Sequence, residues 1–260
     1  MKLSNILPLA RYTFVGSFRS KIFLVLILFG VLLLLSSFLL SILGQEQEIR
    51  VLTDLGLASI EILALFTSIF LMVNLILEQI EQRTLYLVLT RSVSRAEYLL
   101  GNYFGTLAAI FACVVLMTLL HAGILLFKGW DIRAEGLVYF ASVFTSFEKI
   151  VLVSALGLFF SIFSTSAVSA LVFTIFLWIS GHFAVELKFL AGRLEDGALK
   201  TLFKGIYYLV PHFHYLNARD IWISYSSQFG RMIAEGTLYT ALYSAAALLL
   251  AHLSFRKKEF

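Results

Sequence analysis

Cysteine is almost missing from this sequence: the single residue, Cys113, lies inside an apolar run, which excludes an intrachain disulfide and any cysteine metal cluster. Charge is scarce as well. Charged residues make up 14% of the chain against 60% hydrophobic, and the mean hydropathy is +0.92, values that exclude an ordinary soluble domain. A nucleotide-binding loop is also lacking, since Gly197, Ala198, Leu199, Lys200 and Thr201 are only a fragment of G-x-x-x-x-G-K-[ST]. Glu148, His121 and His182 stand at no spacing that assembles a nucleophile, a base and an orienting group, so an intramembrane enzyme has no recognisable centre here. No internal repeat or low-complexity tract is present.

What is present is a series of apolar runs, each near the ~20 residues that a hydrocarbon core requires. They predict an all-α integral membrane protein forming one transmembrane domain, with six spans at 22–43, 57–77, 98–127, 137–163, 167–187 and 232–255. The first run exceeds the roughly 7–15 residues of a signal-peptide core and is read as a retained span. Ahead of it, residues 1–21 place Ile6, Leu7, Leu9, Tyr12, Phe14 and Phe18 among Arg11, Arg19 and Lys21, the pattern of an interfacial amphipathic helix. Ser164, Thr165 and Ser166 leave so short a turn that the flanking spans form an antiparallel hairpin.

The stretch 188–231 is the longest between spans. Within it Leu199, Leu202, Phe203 and Ile206 share a face opposite Lys200 and Lys204, predicting a re-entrant or interfacial helix that Pro211 ends. The aromatic group Tyr207, Tyr208, Phe213, Tyr215, Trp222 and Tyr225 suits a headgroup-level belt. The net charge of +4 and pI near 9.1 come from basic residues at the ends of apolar runs, which implies membrane orientation rather than nucleic-acid binding. Lys and Arg number four in 1–21, three in 78–97 and three after the last span, against one and two in the short connections after the first and third spans. Both termini are therefore expected in the cytoplasm of a cell with this chain in its plasma (inner) membrane.

Several polar residues stand out. Glu148 and Lys149 fall mid-span, where an ionised side chain costs at least ~2.5 kcal/mol; with about 100° between neighbours on a helix, they pair in different directions. Glu148 reads equally as part of a translocation path or dimer contact and as a neutralised acid hydrogen-bonded within the bundle. Glu61 and Glu235 are expected to snorkel to the interface. His212 and His214 form H-x-H, two imidazoles short of a metal set. Gly101 and Gly105 form G-x-x-x-G, which permits close helix approach within the chain. Ser94, Arg95, Ala96 and Glu97 fit a capping box that would open the third span.

The segment 78–97 carries Glu78, Glu81, Arg83, Thr84, Arg91, Ser94 and Arg95. It resembles the stretch E-x-x-x-R-T-x-x-x-L-x-x-P-x-S-R, followed by L-G-K, that joins the second and third spans in membrane subunits of ABC-2 type transporters. Ser92 stands where that pattern has proline and Asn102 where it has lysine, while Leu100 and Gly101 match. Ala10, Arg11, Thr13, Phe14, Arg19, Lys21, Ile22 and Phe23 are similar to the opening of one permease subgroup, which includes permeases linked to maturation of multicopper enzymes. Glu148, the serine turn and the Gly181, His182 pair extend the likeness over most of the chain.

The resemblance implies an exporter-like permease working with a second copy or a related permease. A cytoplasmic ABC ATPase dimer that binds ATP and Mg would dock on Glu78, Glu81, Arg83, Thr84, Arg91, Ser94 and Arg95. Glu148, Lys149 and His182 would be its polar residues within the membrane. A secondary transporter driven by an ion gradient is the alternative that Glu148 and Lys149 would fit.

Overall fold

The computed structural model describes residues 3–42, 47–81, 93–164, 166–194, 197–221 and 229–257. Among them every regular element is helical, the form in which a backbone placed in hydrocarbon satisfies its own polar groups. The order is α1 (Leu3–Arg19), α2 (Lys21–Ser41), α3 (Glu48–Glu81), α4 (Arg95–Phe127), α5 (Ile132–Phe163), α6 (Ala167–His182), α7 (Ala184–Arg193), α8 (Ala198–Leu209) and α9 (Phe229–Lys257). Two 3-10 turns, Phe213–Leu216 and Ala218–Ile221, precede α9.

Helices α2, α3, α4, α5 and α9 are long and apolar enough to cross a bilayer, and α6 with α7, bent by 64°, adds a sixth span if the broken pair is counted as one. This is the architecture of a multi-pass membrane protein. The run expected to start at residue 57 begins at Glu48, with Leu52 buried and Glu48 meeting Lys128 at 2.5 Å, so residues 48–56 are helix rather than connection. The run expected to continue to residue 187 breaks after His182.

Local chemistry sets the helix boundaries. Ser94 opens α4 through a complete capping box: its hydroxyl accepts from Glu97 N at 3.2 Å, and the Glu97 carboxylate accepts from Ser94 N at 3.0 Å. At the other end of α4, Trp130 N donates to Leu125 O and Gly129 N to Leu126 O, with Gly129 at φ 87°, a Schellman ending that needs glycine at the left-handed position. Asp131 then caps α5 by accepting from Arg133 N at 2.9 Å. α8 ends at Leu209, just before Pro211, as its sequence requires.

α3 and α5 form the centre of the bundle: 72% of the apolar window of each is buried, against 22% for α2 and 28% for α9 at the edges. Hydrocarbon gives helices no hydrophobic reason to associate, so close approach and polar ties hold them. Ser68 and Ser154 pair hydroxyls at 2.7 Å across the α3–α5 contact. A Cβ on Gly30 would stand 2.2 Å from Leu63, and one on Gly56 would stand 1.9 Å from His121, so glycine sets both separations.

The bundle has two distinguishable ends. At the near end, Tyr98 of α4 stacks on Phe255 of α9 at 5.9 Å, and its hydroxyl donates to Gln79 of α3. At the far end, His121 of α4 sits 2.9 Å from the Tyr139 hydroxyl and 3.2 Å from Leu52 O. Both of its ring nitrogens are engaged, which makes His121 a tie between α3, α4 and α5. α1 and the last turn of α9 lie at the same, near end.

Candidate functional site

Two regions bear on the residues singled out by sequence. The first is the near-end corner. The backbone of Glu78 and Glu81 closes α3, but their side chains, together with Arg83, Thr84 and Arg91, lie outside the described residues. Ser94 and Arg95 are described. Ser94 caps α4, and the Arg95 guanidinium donates to Phe255 O at 2.5 Å and Arg256 O at 3.0 Å. It thereby places a cation on the orphan carbonyls at the C-terminus of α9, where charge and helix dipole agree.

α1 packs lengthwise on the start of α4. Asn5 donates to Glu97 at 3.1 Å and Thr13 to Asn102 at 2.8 Å. The glycines make this possible: a Cβ on Gly101 would meet Leu9 Cβ at 2.6 Å, and one on Gly105 would meet Ala10 O at 2.5 Å. The matched steps of four residues make the two helices parallel here. The expected interfacial helix therefore spends its Ile6, Thr13 and Ser17 face on α4 and leaves Leu7, Tyr12 and Phe18 exposed. Asn102, in the position where the ABC-2 pattern has lysine, is buried as the acceptor for Thr13.

The second region lies inside the bundle. Glu61 of α3 is 6% exposed, and its carboxylate accepts from Lys149 Nζ at 3.0 Å, Ser146 Oγ at 2.9 Å and Arg219 Nη2 at 2.9 Å. His182 Nε2 stands 3.9 Å away while its Nδ1 faces Trp178 O at 3.0 Å. Four elements thus converge: α3, α5, the end of α6 and the second 3-10 turn. Glu61 does not snorkel as expected. With α3 beginning at Glu48, it lies about 20 Å along the helix from that end.

Lys149 and His182, both picked from sequence, are brought together here, whereas Glu148 is not. One residue along α5, it points toward α9, where its Oε2 would lie 3.8 Å from a Cβ on Gly236. It is 4% exposed, and neither carboxylate oxygen has a hydrogen-bond partner among the described residues.

Arg219 was missed because it sits in a stretch without a span-length run. The available signal was the apolar spacing of Phe213, Leu216 and Ala218, all buried, which carries the chain back into the bundle. Gly181 allows that return, since a Cβ there would meet the Phe213 ring at 2.6 Å and Pro211 O at 2.8 Å.

His212 and His214, with ring centroids 5.7 Å apart, sit beside Tyr207, Tyr215 and Tyr239. Desolvation comes first in holding both imidazoles below the usual histidine range; His214 and then Lys188 add to this for His212, and Lys188 for His214. Among the described residues no group of three or more His, Cys, Asp or Glu gathers as a metal set.

Chemically, the interior cluster holds and orients charge, and the near-end corner joins helices rigidly. No family model matches the chain, and no similar curated protein was found.

Proposed function

We propose that this chain is the membrane-spanning permease subunit of an ABC-2 type ATP-binding cassette transporter, exporting its substrate when separate cytoplasmic ATPases dock after α3. The observation that carries this reading is the Glu78 to Arg95 pattern, followed directly by a helix start fastened to three neighbours. Through Arg95 and Tyr98 the beginning of α4 is joined to α9 and α3, and through Gly101, Gly105 and Asn102 it is joined to α1. A push on 82–92 would reach these four helices as one lever rather than dissipate in a single connection.

In this reading ATP and Mg belong to the partner dimer, a second copy or related permease completes the path, and both termini face the cytoplasm of the plasma membrane. Arg219 is the residue that latches the far-end segment to Glu61, so opening toward the far side exchanges that contact. Glu148 favours a second reading, an ion-gradient transporter, because a buried carboxylate with no geometric hydrogen bond among the described residues suits a carried proton or cation.

The test is purification of the tagged chain from its own cell in mild detergent, with mass spectrometry of companions and an ATP hydrolysis assay. A stoichiometric ATPase is expected, and replacing Glu81 and Arg83 together should uncouple hydrolysis from transport. Transport that persists without ATP but follows an ion gradient would replace this reading with the second.

A further inference from the structure

The first 45 residues contain no Asp or Glu, yet they carry Lys2, Arg11, Arg19 and Lys21. Two of these cations meet at one place. Arg19 ends α1, Ser20 breaks the helix with extended backbone (φ −67°, ψ 128°), and Lys21 begins α2, so both charges sit at a corner and both are exposed. At the corner the exposed Phe18 ring packs on buried Phe23, with centroids 4.8 Å apart.

Beside it lies a groove of about 350 Å³ between α2 and α3, lined by Lys21, Val25, Leu26, Phe70 and Asn74. Its walls are almost wholly apolar. α2 is the least buried of the long apolar helices, so the groove opens where a lipid tail can enter. Depth and charge agree. The apolar window of α2 starts at Phe23, which puts Lys21 at the boundary of the hydrocarbon, the level of phosphates, while Val25, Leu26 and Phe70 lie where acyl chains begin. Asn74 is half-buried in the wall.

We propose that this corner binds one anionic phospholipid, its phosphate on Lys21 and Arg19 and the start of one acyl chain in the α2–α3 groove. Electrostatic attraction alone would draw anionic lipid to any basic edge; the groove beneath this one gives the lipid a fixed seat. The proposal stands apart from the transporter reading.

Native mass spectrometry decides it. The full chain is reconstituted in bilayers of equal parts phosphatidylcholine and phosphatidylglycerol, extracted in mild detergent and weighed. One retained phosphatidylglycerol per chain is expected. Removing both charges, R19Q with K21Q, should lower its retention about twenty-five-fold, about fivefold for each cation, while K21R keeps it. Val25→Trp fills the groove without touching charge and should lower retention as well.

Lys257, at the same end but away from the groove, is the control, and K257Q should change nothing. Equal retention of both lipids, or full retention in the charge-neutral double variant, would overturn the proposal. So would a loss in K257Q as large as that in the double variant. Gel filtration and helical circular dichroism establish that each variant is folded. Should the double variant fail that check, Val25→Trp decides alone, and unchanged retention in it overturns the seat.

Discussion

Glu148 and Lys149 are neighbours on α5, yet the two faces they occupy are built on opposite terms. Toward α3, Lys149 meets Glu61 at 3.0 Å in a cluster completed by Arg219 and Ser146. Toward α9, Glu148 is equally buried, and neither of its oxygens has a partner among the described residues. One helical step of about 100° separates a compensated charge from an acid that no cation faces and that has only the Thr237 hydroxyl nearby, short of a geometric hydrogen bond. In a bundle centre the presence of a charged residue says little; the partner decides whether it holds structure together or waits for something else.

The largest effect expected from breaking this contrast follows loss of Glu61. Glu61→Ala leaves buried Lys149 and half-buried Arg219 without their carboxylate, which should destabilise the chain by about 3–5 kcal/mol. Thermal unfolding in mild detergent reads the loss. A variant as stable as the wild type would mean that the cations find other partners.

Adding Lys149→Met to Glu61→Ala sharpens the comparison. The double variant removes both ends of the Lys149–Glu61 tie and should be more stable than the sum of the single losses predicts, with a coupling of about 0.5–3 kcal/mol. Strict additivity, read in the same unfolding measurement, would show that the pair contributes no mutual energy.

On the other face the expectation reverses. Glu148→Gln keeps shape, breaks no ion pair, retains an oxygen that can face Thr237 and should change stability by less than about 1 kcal/mol. Its consequence belongs to function. If Glu148 carries a proton or cation, the variant should abolish transport while unfolding at the wild-type temperature. A large destabilisation would place Glu148 among the structural residues beside Lys149.

Much of this contrast can be read in the sequence, and the remainder has a physical reason for being hidden. The long apolar helices and their order are legible because hydrocarbon imposes length and hydrophobicity on each helix separately. The divergence of Glu148 and Lys149 follows from helix geometry, and the Ser94 capping box from local spacing. Glu61 was misplaced because its depth depends on where α3 starts. That start is set by Glu48 and Lys128, which lie 80 positions apart in sequence. Arg219 escaped notice for a similar reason: it enters the bundle by a short turned segment packed against Gly181, and no single-segment periodicity records such a contact.

The smallest effect completes the comparison with a third case, a partner without burial. Glu235 accepts from Arg231 at 2.7 Å, a shorter contact than Lys149 makes with Glu61, but both side chains are largely in the open at the start of α9. Water and headgroups already solvate such charges, so the pair replaces one set of polar contacts with another and gains little. Glu235→Gln should leave the unfolding temperature within measurement error at any salt concentration. A shift approaching that of Glu61→Ala would mean that contact distance, rather than burial, sets the worth of a carboxylate in this protein, and the distinction between the two faces of α5 would lose its basis.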